Sequence, residues 1–423
     1  LGALNRMYLA KETRQQIEVL DVFSGGASCC ILSYADLHSV IAFSVCSQRA
    51  RGEVTDSQGR PQITSLIGLR GCGTANLIRR ASPLHLLHLE ASLQCLVHPK
   101  CVMFPANAVR ALIPALHATP RLERLRLDLA GCGISDRGAC AVAAALPKAL
   151  QMLRLDLCDC GVGPRGCSAI ADALPTSLEQ LHLGLCHCQI GAEGAESLGA
   201  ALSRLGRGQK IFSKLYLDLD NTGVGGRGAR ALALSIPPCL QHLHLDFSRC
   251  RVGREAGRAV AAKLPKSVSQ LHLDFSGCEI GAEAAMHLAA ALPQRLVQLH
   301  LGLHHCGLGA GGARALAAKL PRLASCLEGL KLDFAGCGVG ADGAHALAYA
   351  LFALSLLGQG LSNLSLGLAG CEIGSEATRA LVAALPDNLS NLHLGLRGCD
   401  VNDEVREDVV SPRLQELERA GAK

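Results

Sequence analysis

Between residues 122 and 402 the alternation of apolar and polar positions restarts at regular intervals. Leu125, Leu127 and Leu129 alternate with Arg126, Asp128 and Ala130, the period-two pattern of a strand with one buried face. Gly131 and Gly133 flank Cys132 in a turn. Beyond it Ala139, Val142, Ala143 and Leu146 recur at i, i+3, i+4 and i+7, which is one face of a helix, and Pro147 marks the exit. The pattern begins again at Leu153, Leu181, Leu215, Leu243, Leu271, Leu299, Leu330, Leu364 and Leu392, at spacings of 28, 31 or 34 residues. A fixed period of this length marks stacked repeats, each unable to bury its apolar face alone.

Strand, turn, helix and exit in one short unit predict an α/β solenoid, with parallel strands on the concave side and helices on the convex side. Ten strands at ~4.8 Å give a concave face roughly 45 Å long. The Leu-Pro exit recurs at Pro175, Pro265, Pro293, Pro321 and Pro386. Three stretches lengthen the unit, at 204–213, around 323–326 and at 353–360. Each is predicted as a rim loop between helix exit and next strand, and as a candidate partner contact.

Copies such as Leu271-His-Leu-Asp-Phe-Ser-Gly-Cys-Glu-Ile-Gly-Ala-Glu-Ala-Ala resemble the leucine-rich repeat family, in its ribonuclease-inhibitor-like class. The resemblance spans about residues 120 to 400 and implies a horseshoe whose concave face docks proteins. Leu66, Leu69 and Cys72, then Leu84, Leu87 and Leu89, look like degenerate copies. The expected organisation is an N-terminal segment at 1–65, degenerate repeats at 66–121, the solenoid at 122–402 and a C-terminal cap at 403–423.

Composition narrows the partners. With 49% hydrophobic residues, 3% aromatics and no Trp, the core is built in thin layers of Leu, Ala, Val, Ile and Cys. The net charge of +5 is weak for this length. Arg137, Arg165, Arg227 and Arg254 occupy similar loop positions, but Glu193, Glu283, Asp342 and Glu376 fall at or near the same place in other copies. No basic face is expected, and no nucleic acid. The stretch 345–374, with Glu372 near its end as its one charged residue, is long enough for a membrane span, which needs ~20 apolar residues, yet it holds a strand and turns in repeat register, so no span is expected.

Of 21 cysteines, nine share the turn position: Cys132, Cys160, Cys188, Cys250, Cys278, Cys306, Cys337, Cys371 and Cys399, with Thr222 in the tenth copy. The family places Asn or Cys there, which implies inward side chains bonded to main-chain groups, with Thr222 serving the same way. Reduced thiols imply a reducing compartment such as cytosol or nucleus. The chain begins at Leu1, which leaves an upstream targeting peptide and an organelle open. Cys158 and Cys186 differ: they stand at equivalent strand ends on the concave side, one strand spacing apart, close enough for a disulfide or a soft-metal pair. A polar surface is the simpler reading, and no metal or other cofactor is expected.

Four segments match Gly-x-Gly-x-x-Gly, at Gly161/Gly163/Gly166, Gly223/Gly225/Gly228, Gly307/Gly309/Gly312 and Gly338/Gly340/Gly343. They recur in register with the repeat, so a tight strand-to-helix turn explains them better than a nucleotide. No phosphate-binding Lys loop, His-Glu-x-x-His helix or nucleophile elbow is present, and no enzymatic activity is expected.

Outward strand positions read as two columns. One holds Arg126, Arg154, His182, Tyr216, His244, His272, His300, Lys331, Ser365 and His393; the other holds Asp128, Asp156, Asp218, Asp246, Asp274 and Asp333, with glycine at 184, 302, 367 and 395. Two expectations follow: each Asp offsets a neighbouring cation, or the columns form a recognition strip whose charge follows pH through five histidines. A noncatalytic protein-binding scaffold is the leading function. Residues 32–49, Leu-Ser-Tyr-Ala-Asp-Leu leading to Val-Cys-Ser-Gln-Arg, are similar to the second half of an F-box, although Ser24-Gly25-Gly26 interrupts the first helix and no Trp follows Cys46. That resemblance implies a substrate adaptor of a cullin-type ubiquitin ligase; a helical cap and a structural subunit of a larger assembly are the alternatives.

Overall fold

The computed structural model describes residues 113–419 except 115, 209, 358 and 359, together with the main chain of 30–31, 65–70 and 88–92. The described strands form one parallel sheet in chain order: β1 (Cys30–Ile31), β2 (Ser65–Arg70), β3 (His88–Ser92), β4 (Arg124–Asp128), β5 (Met152–Asp156), β6 (Gln180–Gly184), β7 (Lys214–Asp218), β8 (His242–Asp246), β9 (Gln270–Asp274), β10 (Gln298–Gly302), β11 (Gly329–Asp333), β12 (Asn363–Gly367) and β13 (Asn391–Gly395). β4 to β13 are the ten strands the leucine pairs predict. The sheet continues through β1 to β3, with a bulge between Leu66 and Leu69. The F-box-like stretch at 32–49 lies outside the described residues.

Equivalent leucines pair across the sheet, as in Leu125 with Leu153 and Leu153 with Leu181. Register follows from the repeat, because a one-residue slip would turn every leucine to solvent. The inward leucines meet the helical faces in one continuous core, where Leu127, Leu155, Leu183 and Leu217 are fully buried and Phe247, Phe275 and Phe334 take a leucine position. Each contributes about 1.5–3 kcal/mol by burial.

Helices Ser135–Ala145, Pro164–Ala173, Gly253–Lys263 and Gly281–Ala291 stop where the sequence places Leu-Pro. Leu146, Leu174, Leu264 and Leu292 turn extended, with ψ of 123°, 120°, 118° and 129°, because the proline ring that follows disfavours helical geometry. Pro321 departs from this rule: Leu320 stays helical and the chain makes a 3₁₀ turn, Leu320–Leu323, with both end leucines buried. The burial of a second leucine outweighs the local preference.

The three inserts are not simply rim loops. The helix Gly191–Leu205 runs into the first, and Phe212 returns to the core fully buried. The 3₁₀ turn leads into the second, where the Cys326 and Leu327 amides donate back to the Leu323 carbonyl. The helix Gly340–Leu357 absorbs much of the third, since Leu347, Leu351 and Leu354 keep one apolar face on the core. That helix is long and apolar enough to cross a membrane by length and composition; in the fold it is one member of the helical layer, with Tyr349, Phe352, Leu356 and Leu357 exposed.

After β13, Asp403–Val405, a π-helical turn Arg406–Val410 and the helix Ser411–Arg419 cover the last repeat. Val405 is fully buried, and Arg413 donates to the Leu385 carbonyl and pairs with Asp387.

Candidate concave interaction surface

β4 to β13 present their outward positions in register, so the two polar columns stand side by side along the groove. The first begins with Arg126 and Arg154. His182, Tyr216, His244, His272 and His300 follow as a stack of flat rings with successive centroids 3.7 Å apart. The interplanar angle opens from 4° at His182–Tyr216 through 21° and 34° to 61° at His272–His300. Rings on strands ~4.8 Å apart must lean together to reach this separation. Lys331, Ser365 and His393 complete the column.

Stacking changes the electrostatics. Burial among the neighbouring rings, with a contribution from the Arg154 guanidinium, holds His182 down at about 4. His272 is lowered to about 4 and His300 to about 3, in each case by burial, with Lys331 adding to the effect. His244, between a tyrosine and a histidine, is also pushed far down by burial and by its histidine neighbours. Burial raises the Tyr216 hydroxyl to about 12. The expectation of a column that changes charge near neutral pH therefore fails for these four histidines. Their stack is neutral and half-buried, near-parallel at His182–Tyr216 and edge-on at His272–His300.

The aspartate column also shapes the backbone. Asp128, Asp156, Asp218, Asp246, Asp274 and Asp333 each accept the main-chain N–H two residues on, at 2.8–3.3 Å, closing the turn that leaves the strand. Asp246 also accepts the Ser248 hydroxyl. Burial raises the Asp246 carboxyl to about 6 and raises Asp218 as well. The glycines in this column have a steric reason: a Cβ on Gly302 would meet Asp274 Oδ2 at 2.1 Å, and one on Gly367 would meet Asp333 Oδ1 at 2.5 Å.

Sequence reading overlooked a third row. Met152, Gln180, Lys214, His242, Gln270, Gln298, Asn363 and Asn391 open their strands and line the same groove, a cavity of about 690 Å³ reaching from β5 to β13. Their signal was present in the period-two alternation, which puts Gln180, His182 and Gly184 on one face.

The turn cysteines are buried, and eight of them donate to a carbonyl of the preceding copy, as Cys160 Sγ to Leu129 O at 2.9 Å and Cys337 Sγ to Leu303 O at 2.7 Å. Thr222 behaves differently: its shorter side chain bonds the carbonyl of its own copy, Leu219, at 2.6 Å. Burial raises the thiols of Cys160, Cys188, Cys278, Cys337 and Cys399, and that of Cys306 to about 12, which makes them inert hydrogen-bond donors.

The glycine motifs are turns. The residue before the turn position is left-handed in all ten copies, whether Gly131 or Arg249, and Gly223, Gly225, Gly307, Gly309, Gly338 and Gly340 have positive φ. At Gly161/Gly163/Gly166 the amides that would cradle a phosphate are occupied: Asp136 Oδ1 accepts Gly163 N–H at 2.7 Å and Gly166 N–H at 2.8 Å.

At the strand exits Cys158, Cys186 and Asp218 bring one sulfur or oxygen each within 4.8 Å of one another; His272, Asp274 and His300 do the same inside the groove. Burial raises Cys186 to about 11 and Cys158 further still.

This architecture defines the class: a parallel-strand solenoid of strand–turn–helix units. The leucine-rich repeat family model matches residues 125–143, 149–171, 175–199 and 271–289. The matched residues are leucine-rich repeats, and the fold is a leucine-rich repeat solenoid. Similar solved structures include the Rad7 and Elc1 complex in yeast, at 13% identity over 88% of this chain and 96% of that one, with a TM-score of 0.48. Another is the leucine-rich repeat-containing protein LegL7 from Legionella pneumophila, at 16% identity over 78% of this chain and 87% of that one, with a TM-score of 0.37. No curated protein matches significantly.

Proposed function

We propose that this protein is a noncatalytic scaffold of the ribonuclease-inhibitor-like class that holds a protein partner along its concave face. The observation that carries this reading is the continuous column of ring contacts from His182 to His300, neutral and half-exposed at the floor of an open groove. Stacked rings lose little conformational freedom when a partner covers them, which is what a recognition surface requires. Arg154 on β5 and Lys331 on β11 bracket the stack at a distance of roughly 29 Å, six strand spacings. The matching partner is an extended segment with an apolar or aromatic middle and carboxylates near both ends. The buried S–H donors favour a reducing compartment such as cytosol or nucleus.

Affinity purification from the source cell with mass spectrometry tests this, comparing wild type, Tyr216→Ala/His272→Ala, and Arg258→Ala on the convex side. The concave variant is expected to lose partners that the convex variant keeps; equal recovery from all three refutes the concave-face reading. The F-box-like residues at 32–49 support a second reading, a ubiquitin-ligase adaptor, and copurification with the F-box-binding ligase subunit tests it.

A further inference from the structure

We propose that the concave rim between β5 and β7 binds a zinc ion through the thiolates of Cys158 and Cys186 and the carboxylate of Asp218. Three successive copies deliver one ligand each. Asp156, Gly184 and Asp218 are in register on β5, β6 and β7, and the two cysteines stand two residues beyond the ends of β5 and β6. The ligand atoms already lie within 4.8 Å of one another. Tetrahedral zinc, with sulfur at ~2.3 Å and oxygen at ~2.0–2.2 Å, places its ligands roughly 3.5–4 Å apart, so small side-chain rotations close the cage.

The thiol pair is not something the fold requires. Positions equivalent to Cys158 and Cys186 hold Ala130, Asp220, Ser248, Ser276, His304 and Ala335 in the copies on either side. The centre is kept open by Gly184, where a Cβ would stand 3.2 Å from Cys158 Sγ and 2.9 Å from Asp156 Oδ1. Asp156, which accepts the Cys158 main-chain N–H at 3.1 Å, adds a second carboxylate beside the cage. The neighbouring Arg249 is committed to Asp220. Two carboxylates crowd the two neutral thiols at one half-buried rim, and a dication offsets the charge of the carboxylates and of the thiolates formed as it binds.

Soft thiolates select zinc over magnesium or calcium. Three protein ligands leave the fourth position to water. Binding is a proton exchange without redox change: the two S–H bonds give their protons to solvent as two S–Zn bonds form. His272, Asp274 and His300 are the competing cluster, but Lys331 is in register with His300 and opposes a cation there.

The test uses the full chain, reduced and stripped of metal by chelation, titrated with cobalt(II) as a spectroscopic stand-in and then with zinc. The proposal expects about one equivalent of cobalt, with thiolate-to-cobalt charge-transfer absorption and the visible bands of tetrahedral geometry, displaced by zinc. Cys158→Ser/Cys186→Ser should abolish the absorption. Asp218→Asn should weaken affinity by about ten-fold or more, since even outer-shell changes at metal sites cost about 10–100-fold. Alkylation of the wild-type chain followed by peptide mapping is a second readout that does not depend on any variant folding: zinc should protect Cys158 and Cys186 and leave the exposed Cys140 reactive. The proposal is overturned if cobalt absorption is absent or survives in the double variant, if zinc protects other cysteines instead, or if the pair forms a disulfide in reducing buffer and takes up no metal.

Discussion

Lowering the pH from about 7.5 to 5 should destabilise the folded chain through its histidine stack. His182 and His272 are held at about 4 and His300 at about 3, against an ordinary value of 6.5. His244 is lowered too. The sign follows from which state takes up protons. As pH falls through 6.5 the unfolded chain binds protons that the stacked rings refuse, so stability present above 6.5 drains away down to about 4. At pH 5 the linkage reaches about 2 kcal/mol per ring in full. The rings are open to solvent on one side, so ~1 kcal/mol each is the appropriate figure, or about 4 kcal/mol for four. Arg126, Arg154 and Lys331 face the stack and oppose its protonation, while Asp156 and Asp274 favour it. Asp246, raised to about 6, and Asp218, also raised, work the other way: they gain protons in the folded state and return about 1–2 kcal/mol as pH falls. The net expected loss is about 2–3 kcal/mol. Urea unfolding at both pH values, with wild type beside His182→Gln/His272→Gln/His300→Gln, measures it. The variant should lose most of the pH dependence. If both chains respond alike, or if the imidazole proton resonances titrate near 6.5, the reasoning is wrong.

The glycine turns make further predictions. Gly166→Ala places a Cβ 2.9 Å from that of Ala139 and 3.0 Å from the Asp136 main chain, and it crowds the carboxylate that holds two amides; thermal or urea unfolding should show a loss of about 2 kcal/mol, and a change within about 0.5 kcal/mol would contradict the packing role. Arg251→Gly relieves a left-handed residue at φ 51° and should stabilise by about 1 kcal/mol in the same assay, whereas a loss would mean that the arginine side chain matters more than its backbone strain. Partner capture by the concave and convex variants and the metal titration complete the set.

Much of the fold was legible because the repeat states each rule many times over. Leu125, Leu153 and Leu181 mark strands through period-two alternation, and Leu-Pro marks exits because proline constrains the residue before it. The inserts were misread for the opposite reason. Leu354 and Leu357 continue a helical pattern past the expected exit, so an added segment lengthened the helix Gly340–Leu357, where a loop was expected. Pro321 likewise yields to the burial of Leu320 and Leu323.

At the concave face the sequence alone determined membership: alternation and period decide that His182, Tyr216 and His244 are neighbours, since register in a stacked sheet is a matter of counting. Only the tertiary structure decided their chemistry. Ring contact and desolvation arise between strands far apart in sequence, and they turn titratable histidines into a neutral stack. The aspartates likewise close their own turns because the carboxylate reaches an N–H two residues on, a geometry set by how each strand ends. Cys158, Cys186 and Asp218 come from three copies, and their convergence within 4.8 Å depends on the twist and exit angle of each strand, which no single repeat encodes.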